Sequence, residues 1–338
     1  MTQQSFDFDA TAPAPPEPAQ AAAQPTTAPA APLSLEAMAQ QLEQHPDFRV
    51  LRRLVPCADY GPGPADPATP GAVQHVLVLD TETTGLSHRS DKIIELAMLL
   101  VAADTATGLP FGPVTVFEGF EDPGMPIPAV AQAVTGISDD MVRGHRLDDA
   151  AVRALVDRAD LVLAHNAGFD RPFVEARFPF FADKAWACSF MDIDWKAIGS
   201  GSAKLSALAN DRGWFYDAHR AQVDCHALLQ VLAQPLTPDA PTTGLAHLLQ
   251  AAAQPSYKLA ATGAPFDAKD QLKARGYRWD AEARVWCCML PSPALLDAEC
   301  EWLRAEVYGR RMARIEVAAL SSQVRYSLRS GEVSEREI

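Results

Sequence analysis

The sequence has 338 residues, of which 48% are hydrophobic, and a formal net charge of −14 at neutral pH. This length and apolar content suffice for two modest domains with hydrophobic cores, or for one domain with tails. A predominantly acidic surface repels phosphate backbones, which argues against broad non-specific binding to duplex DNA, but it is compatible with a local metal site.

The first part of the chain predicts a tail followed by a helical arm. Residues 1–33 are rich in Ala and Pro, and ordering them would cost entropy without burying apolar area, so they predict a disordered tail. Residues 34–72 predict a helical arm and a linker, with Ser34 as the cap of the helix. The apolar stripe of this arm is formed by Leu35, Met38, Leu42, Phe48, Leu51 and Leu54.

Alternating strand and helix patterns follow over residues 73–236 and predict one domain. Strands are expected near 76–82, 92–101, 114–120 and 161–165, and helices near 129–134, 148–159, 170–178, 202–212 and 222–232. This order favours an α/β fold, a mixed sheet flanked by helices.

The rest of the chain predicts a smaller domain. Residues 237–255 predict a linker and a helix, and residues 256–338 predict a small α+β module of unknown role with the element order αββαβ. Asp267 is expected to cap its first helix, and its last strand is expected near Tyr326. Within the module 13 Lys and Arg stand against 12 Asp and Glu, whereas the preceding residues carry 16 against 31.

The stretch VLVLDTETTGL, residues 76–86, runs an apolar strand directly into Asp80 and Glu82. Residues i and i+2 of a strand point to the same side about 6.6 Å apart, so the two carboxylates form a pair. Two like charges at this spacing call for a cation, and hard carboxylate oxygens suit Mg²⁺ or Mn²⁺. The alternative is a strand end whose two acids are simply solvated.

Two further acids follow later in the chain. Asp170 comes just after the apolar strand of LVLAHNAGFD, at the start of a helix, and Asp224 lies in HRAQVDCHALLQVL, five residues after His219. Five residues correspond to about 140° around a helix, so His219 and Asp224 cannot face the same site from one regular helix. We therefore expect His219 in the loop before the helix.

Together these residues resemble the DEDDh 3'-5' exonuclease family, which includes the epsilon proofreading subunit of DNA polymerase III and ribonuclease T. The motifs are D-x-E-T-T-G-L at 80–86, H-N-x-x-F-D at 165–170 and H-x4-D at 219–224, and residues 127–142 also resemble the family. The resemblance covers about residues 74–234. It implies a ribonuclease-H-like fold for the domain at 73–236, which would then be a DEDDh exonuclease domain.

The resemblance also implies a two-metal-ion enzyme that releases nucleoside monophosphates from 3' ends. In this family Asp80, Glu82, Asp170 and Asp224 would bind two divalent metal ions, Mg²⁺ or Mn²⁺, and His219 would be the general base. A histidine beside two cations is held toward its neutral form, which can accept a proton from the attacking water. One ion would lower the pKa of that water, and the other would stabilise the leaving 3' oxygen.

Substrate contacts are implied for the remaining motif residues, which are Thr83, Thr84, Gly85, Leu86, His165, Asn166 and Phe169. Leu86 and Phe169 either wedge or stack on bases or belong to the core. His165 and Asn166 either contact phosphate or close the turn. Glu95, which interrupts an apolar strand, is expected to be a structural polar group rather than a metal ligand.

The substrate expected from this resemblance is the 3' end of single-stranded DNA, in replication or repair, with a DNA polymerase or repair complex as the partner. Trimming of RNA 3' ends is an alternative, since the metals act on the phosphodiester in both nucleic acids. A non-catalytic nucleic-acid-binding scaffold is a third interpretation, disfavoured because all four acids and His219 are present. A homodimer is also open, because several relatives pair.

The C-terminal module also resembles, more weakly, small uncharacterised modules with a K-x3-K-x-x-G-x-x-W-D…W pattern, which assign no site residue. Its basic residues Lys269, Lys273, Arg275, Arg278 and Arg284 interleave with Tyr277, Trp279 and Trp286. Such a pattern either binds single strands through phosphate contacts and stacking or forms a small aromatic core with a solvated basic face. We favour the core for the tryptophans and leave the role of the cations open.

The location of the protein is indicated by its cysteines and its apolar segments. The six cysteines form no CxxC pair and no regular framework, which is typical of reduced thiols in a cytoplasm. The most apolar run, residues 93–103, is too short to span a bilayer and contains Glu95, and the first residues lack a basic leader. We therefore expect a cytoplasmic protein that does not bind membranes.

Overall fold

The computed structural model describes residues 34–64, 72–309 and 311–338. The chain divides into two compact units, Met1–Val50 and Leu51–Ile338. The predicted disordered tail at 1–33 and part of the predicted linker lie outside the described residues. Within the described parts of the chain, no helix is both long enough and apolar enough to cross a bilayer.

The described part of the first unit contains one helix, α1 (Leu35–Glu43). It begins as predicted, because the Ser34 hydroxyl accepts a hydrogen bond from the Ala37 N–H at 3.1 Å. The helix ends at Glu43 with Gln44 as its C-cap, and Leu54 belongs to the second unit, where it is buried. Just before Leu54 the chain forms a short strand, β1 (Arg52–Arg53), that pairs with β7 (Trp214–Phe215).

The second unit contains a five-stranded mixed sheet, which confirms the predicted α/β class. Its order is β4-β3-β2-β5-β6, in which β2 pairs antiparallel with β3 and parallel with β5. The strands are β2 (Val73–Thr83), β3 (Ile93–Asp104), β4 (Pro110–Phe120), β5 (Leu161–Ala164) and β6 (Ala185–Cys188). Strand β3 and the segment Val76–Leu79 of β2 are nearly continuous apolar runs because both of their faces are covered.

Helices cover both faces of this sheet. They are α2 (Ala129–Thr135), α3 (Asp139–Val142), α4 (Asp149–Arg158), α5 (Ala167–Arg177), α6 (Leu205–Asp211), α7 (Ala221–Leu232) and α8 (Gly244–Ala252), with a 3₁₀ turn at Pro179–Asp183. Val76 and Val78 pack into the core of α6, α7 and α8, whereas Leu77 and Leu79 pack into the core of α4 and α5. Because side chains alternate along β2, this single strand contributes residues to both cores.

The C-terminal module contains a second five-stranded sheet in the order β12-β11-β8-β10-β9. Its strands are β8 (Ser256–Ala260), β9 (Arg278–Asp280), β10 (Val285–Leu290), β11 (Arg314–Leu320) and β12 (Glu332–Glu337). Its helices are α9 (Lys269–Ala274), preceded by a 3₁₀ turn at Phe266–Ala268, and α10 (Pro293–Trp302), continued by a π turn at Leu303–Val307.

Three details predicted for the module are wrong. The order αββαβ omits β8 and β12, because β8 is only five residues long and β12 is an exposed edge strand without apolar alternation. Tyr326 lies in the loop between β11 and β12 and packs against the core of the first sheet. Asp267 does not cap α9, whose first residue follows a 3₁₀ turn directly.

The loop at residues 321–331 joins the module to the first sheet. The carbonyl of Ser322 accepts a hydrogen bond from the Trp186 N–H of edge strand β6 at 2.9 Å, which extends the sheet by one contact. Arg325 is buried and donates to the Asp192 carboxylate at 3.3 Å and to the Ala251 carbonyl at 2.8 Å. The module is thus connected to the sheet by buried polar contacts as well as by the chain.

Candidate active site

Three carboxylates converge where the central strand ends. Asp80 and Glu82 lie near the C-terminal end of β2, and Asp224 lies in the first turn of α7. Each offers one oxygen such that these oxygens all lie within 4.8 Å of one another. The register of β2 against β3 shifts between Glu82 and Thr83, so the chain leaves the regular ladder directly after the second acid.

Asp170, the fourth predicted acid, is buried in the first turn of α5 and lies outside this group of three. It is nevertheless close enough for its charge to raise the pKa of Asp80. Its Oδ1 accepts hydrogen bonds from the Thr81 N–H at 3.1 Å and from the Thr81 hydroxyl at 2.8 Å. Thr81 therefore ties the Asp170 carboxylate to the strand that carries Asp80 and Glu82.

Asp224 is oriented by hydrogen bonds to both of its oxygens. The Tyr216 hydroxyl donates to Oδ1 at 2.9 Å, and the His219 and Arg220 N–H groups donate to Oδ2 at 2.8 and 3.2 Å. His219 lies in the loop before α7, as predicted, and its side chain is exposed. Its φ of 70° lies in the left-handed region, which is uncommon for a residue other than glycine and is often found at functional sites.

The start of α7 is fixed by Glu95, a fully buried residue of β3 that lies opposite Glu82 in the ladder. Its Oε1 accepts from the Arg220 guanidinium at 2.9 and 3.2 Å, and its Oε2 accepts from the Ala221 N–H at 3.0 Å. Glu95 therefore has the structural role predicted for it. By holding the first residues of α7, it positions Asp224 and His219.

Thr81, Tyr216 and Arg220 orient the acids, and their roles are not predicted from the sequence. Thr81 lies inside the DTET motif, but its uncharged side chain gives no indication that it contacts Asp170. Tyr216 and Arg220 lie in an irregular segment, where no periodicity indicates the direction of a side chain. Arg220 lies four positions before Asp224, and that spacing gives no indication that its guanidinium pairs with Glu95.

The electrostatics of the cluster disfavour four bare negative charges. Burial, followed by the charges of its acidic neighbours, raises the pKa of Asp80 well above its usual value. The same causes raise the pKa of Glu82 to about 8, and burial raises that of Asp170 to about 7. A divalent cation would offset both burial and mutual repulsion, and the donors are the hard oxygens that such ions prefer. The residues present therefore fit a divalent metal site.

We expect the metal-free protein to lose stability as the pH rises from about 6.5 to about 8, where His165 is mostly neutral in both the folded and the unfolded state. The folded-state pKa values of Glu82 and Asp170 exceed their unfolded values, so over this range the folded state binds more protons and the free energy of unfolding falls. Denaturant unfolding in EDTA across this range measures the slope, and addition of Mg²⁺ should reduce it and raise stability at the upper end. A slope of the opposite sign in EDTA, or no stabilisation by Mg²⁺ or Mn²⁺, would contradict the metal site.

The turn after Glu82 is rigid and presents Leu86 to solvent. The Thr83 hydroxyl donates to the Gly85 carbonyl at 2.6 Å, and the Thr84 N–H donates to the Lys92 carbonyl at 2.9 Å. A Cβ at Gly85 would lie 2.6 Å from the Asp91 carboxylate, so only glycine fits there without a shift. Leu86 is 87% exposed, which excludes it from the core.

The HNxxFD segment places its residues differently. Both ring nitrogens of His165 have hydrogen-bond partners within the protein. Its Nε2 donates to the Ala203 carbonyl at 2.9 Å, and its Nδ1 lies 2.7 Å from the Ser189 hydroxyl. Burial lowers its pKa to about 4, so the ring is neutral. This geometry favours the turn-closing alternative for His165. Asn166 is exposed with a φ of 74°, and Phe169 is half-buried against Phe173, with ring centroids 5.1 Å apart.

The fold and the site define an α/β domain of ribonuclease-H-like fold with an acidic, metal-binding type of centre. Residues 77–232 match the RNase T family model, which is described as exonuclease. This match supports the resemblance to the DEDD exonuclease family found in the sequence. The matched residues contain all four acids and His219.

Among curated proteins, the chain is similar to a PolC-type DNA polymerase III of Listeria welshimeri, with 38% identity over 103 residues. That match covers 30% of this chain and 7% of the relative, so the chain spans only a small part of the relative's length. A structure of Exonuclease X with 5' overhanging duplex DNA shows 23% identity and a TM-score of 0.37, covering 51% of this chain and 99% of the other. E. coli Exonuclease I with a dA16 oligonucleotide shows 18% identity and a TM-score of 0.39, covering 55% and 48%.

Proposed function

We propose that this protein is a 3'-5' exonuclease that hydrolyses the terminal phosphodiester of a nucleic acid and releases nucleoside monophosphates. The observation that carries the proposal is the convergence of Asp80, Glu82 and Asp224 at the end of the central strand, with Asp170 tied to that strand by Thr81. The match of residues 77–232 to an exonuclease family supports it.

In this proposal Asp80, Glu82, Asp170 and Asp224 hold two divalent ions, Mg²⁺ or Mn²⁺. When bound, the ions supply Lewis-acid stabilisation of the charge that develops on the cleaved phosphate and on the leaving oxygen. Glu95 and Arg220 keep α7 in register with the strand that carries the first two acids. Tyr216 and Thr81 hold the carboxylates of Asp224 and Asp170 in fixed orientations, so little reorganisation is needed when the substrate arrives.

His219 is proposed as the general base, which accepts a proton from the attacking water. The water oxygen forms a bond to phosphorus, the bond from phosphorus to the 3' oxygen breaks, and that oxygen gains a proton from solvent. The His219 backbone is anchored on Asp224 while its side chain stays exposed, so the ring can reach a substrate beside the acids. Leu86, Asn166 and Phe169 are proposed to contact the terminal nucleotides.

Single-stranded DNA is the substrate that we propose, because the curated relative with the matching segment is a DNA polymerase. By the same argument, we propose that the protein works with a DNA polymerase or a repair complex. We also propose that it is located in the cytoplasm. Trimming of RNA remains the second candidate, since discrimination against the ribose 2'-OH depends on the shape of the pocket.

A degradation time course on DNA and RNA strands of equal sequence, labelled at the 5' end, tests this function. We expect a ladder of products shortened from the 3' end in Mg²⁺, no products in EDTA, and faster loss of the DNA strand. A faster loss of RNA would assign the enzyme to RNA trimming. Binding of both strands without cleavage in Mg²⁺ or Mn²⁺ would instead indicate a scaffold.

A further inference from the structure

The C-terminal module has a sheet face that the proposed catalytic centre does not use. Its helices cover one face only, where Leu259, Trp286 and Ile315 enter the core of the module. Residues paired directly across antiparallel strands share a face, so the register defines the other side of the sheet, which we name the open face. The open face contains Lys258, Ala260, Cys287, Met289, Glu316 and Ala318.

A cavity of about 580 Å³ lies over the open face and reaches the exonuclease domain. Asn166 and Gly168, from the segment that carries Asp170, form part of its wall, and the loop at 321–331 forms another part. A second cavity of about 570 Å³ shares Met191, Lys258, Cys287 and Met289 with the first. The two therefore form one groove, which begins beside the HNxxFD segment and crosses the sheet.

The groove ends at edge strand β9. Arg278 pairs with Cys287 and so lies on the open face, whereas Trp279 pairs with Trp286 and so belongs to the opposite face. Trp279 is nevertheless 51% exposed and lines the second cavity where that cavity reaches the edge of the sheet. Trp279 also lines a third cavity of about 320 Å³, which adds the exposed ring of Phe266. The groove thus leads from the exonuclease domain to exposed aromatic rings.

The lining of the groove is apolar and basic in a chain that is acidic overall. Met191, Met289 and Leu328 are all more than 40% exposed there, and exposed apolar side chains that line one groove indicate a binding surface. The cations that line the three cavities are Lys258, Lys269, Arg275, Arg278, Arg284 and Arg329, against the acids Asp280, Glu299 and Glu316. The groove and the third cavity together therefore carry a local positive excess, whereas the whole chain has a net charge of −14.

We propose that this groove binds the upstream part of the single-stranded nucleic acid whose 3' end enters the catalytic centre. The inference rests on the proposed exonuclease function, since the 3' end fixes where the strand leaves the acids. Asn166 precedes α5, the helix that carries Asp170, and lines the start of the groove. A nucleic-acid strand that passes Asn166 therefore continues over the open face. Phosphates then meet Lys258 and Arg278 on the open face, and bases that reach edge strand β9 stack on the exposed Trp279. Cations combined with an aromatic ring bind single strands without sequence preference.

Two of the cations that line the groove form ion pairs with neighbouring acids, which fixes the positions of their side chains. Lys258 lies 3.2 Å from Asp280, and Arg275 lies 3.1 Å from Glu299, so these side chains are held in place at the rim. Met191, from the exonuclease domain, lines both large cavities and joins the two halves of the groove. The buried contacts of the loop at 321–331 keep the halves in register.

The test compares oligothymidylates of about 20 and about three nucleotides on the full-length chain. Binding is measured by fluorescence anisotropy in EDTA, and kcat/KM is measured in Mg²⁺. We expect Arg278→Glu and Trp279→Ala each to weaken binding of the longer strand about tenfold and to lower the ratio of kcat/KM between the long and short strands by a similar factor. Arg304→Glu, an exposed cation of the helical layer, is the matched control and should retain wild-type binding and the wild-type ratio.

The outcomes separate this inference from the proposed function. If the wild-type chain degrades both strands and the groove variants retain the wild-type ratio and affinity, the groove is not a strand-binding surface, while the exonuclease stands. If no strand is degraded but the groove variants still bind the longer strand more weakly than Arg304→Glu, the groove stands and the exonuclease function fails. A change of oligomeric state in the groove variants with unchanged DNA affinity would assign the groove to a second copy of the chain and overturn the inference.

Discussion

Replacing Asp80 by Asn should lower the rate of 3'-end hydrolysis at least about 1,000-fold while leaving the fold intact. Asp80 is the acid whose pKa is raised by burial and by three acidic neighbours in the cluster, Asp170, Asp224 and Glu82, so it lies at the centre of their repulsion. An amide of the same shape removes one negative charge and therefore weakens a divalent site. The same removal relieves repulsion, so the metal-free variant should be at least as stable as the wild type at neutral pH.

Asp157→Asn is a suitable control, because Asp157 is an exposed aspartate on α4 that pairs with Arg153. Its hydrolysis rate and Mg²⁺ dependence should equal those of the wild type. Rates come from the labelled-strand time course over a range of Mg²⁺ concentrations, and stability comes from denaturant unfolding in EDTA. Full activity of Asp80→Asn would remove Asp80 from the metal site, and lost activity with lost stability would leave the role of the carboxylate unproven.

The fold of the first sheet was predictable because its signals are long and regular. Strands β2 and β3 each exceed ten residues, β3 is almost wholly apolar, and the apolar run Val76–Leu79 of β2 leads directly into Asp80 and Glu82, whose spacing is unusual for a strand end. Asp170 follows a recognisable apolar strand and Asp224 precedes the apolar part of its helix, so their place at the start of helices could be inferred from the chain alone. Helix and strand periods determine which residues share a face, and those periods are present in the sequence.

The polar contacts that orient the site could not be predicted in this way. The pairing of Glu95 with Arg220 joins residues 125 positions apart, and the contact of Thr81 with Asp170 joins residues 89 apart. Such contacts depend on tertiary packing, which leaves no periodic trace in the chain. Prediction failed for the same reason at Tyr326, whose apolar ring indicated a strand but packs against the first sheet from a loop.

Replacing Arg171 by Ala should destabilise the protein by about 3 kcal/mol or more. Arg171 of α5 is fully buried, and its guanidinium donates to the carbonyls of Gln323 and Arg325 at 2.6 Å each and to the Glu175 carboxylate at 2.6 Å. Alanine leaves the buried Arg325 carbonyl without its donor, while Gln323 and Glu175 keep only their bonds from Arg329. An unpaired buried acceptor costs more than the bond itself is worth. The loop at 321–331 should then open, and its amide hydrogens should exchange faster.

Arg171→Lys distinguishes the geometry of the donors from the charge. Lysine keeps the positive charge but lacks the planar fork that serves several acceptors at once, so we expect an intermediate loss of about 2 kcal/mol. Arg143→Ala is the control, since Arg143 forms an exposed pair with Asp140, and it should change stability by no more than about 0.5 kcal/mol. Denaturant midpoints and hydrogen exchange at residues 321–331 provide the measurements. If Arg171→Lys and Arg171→Ala both keep the wild-type midpoint and slow exchange, another contact holds the module on the exonuclease domain, and the Arg325 pair with Asp192 is the next to remove.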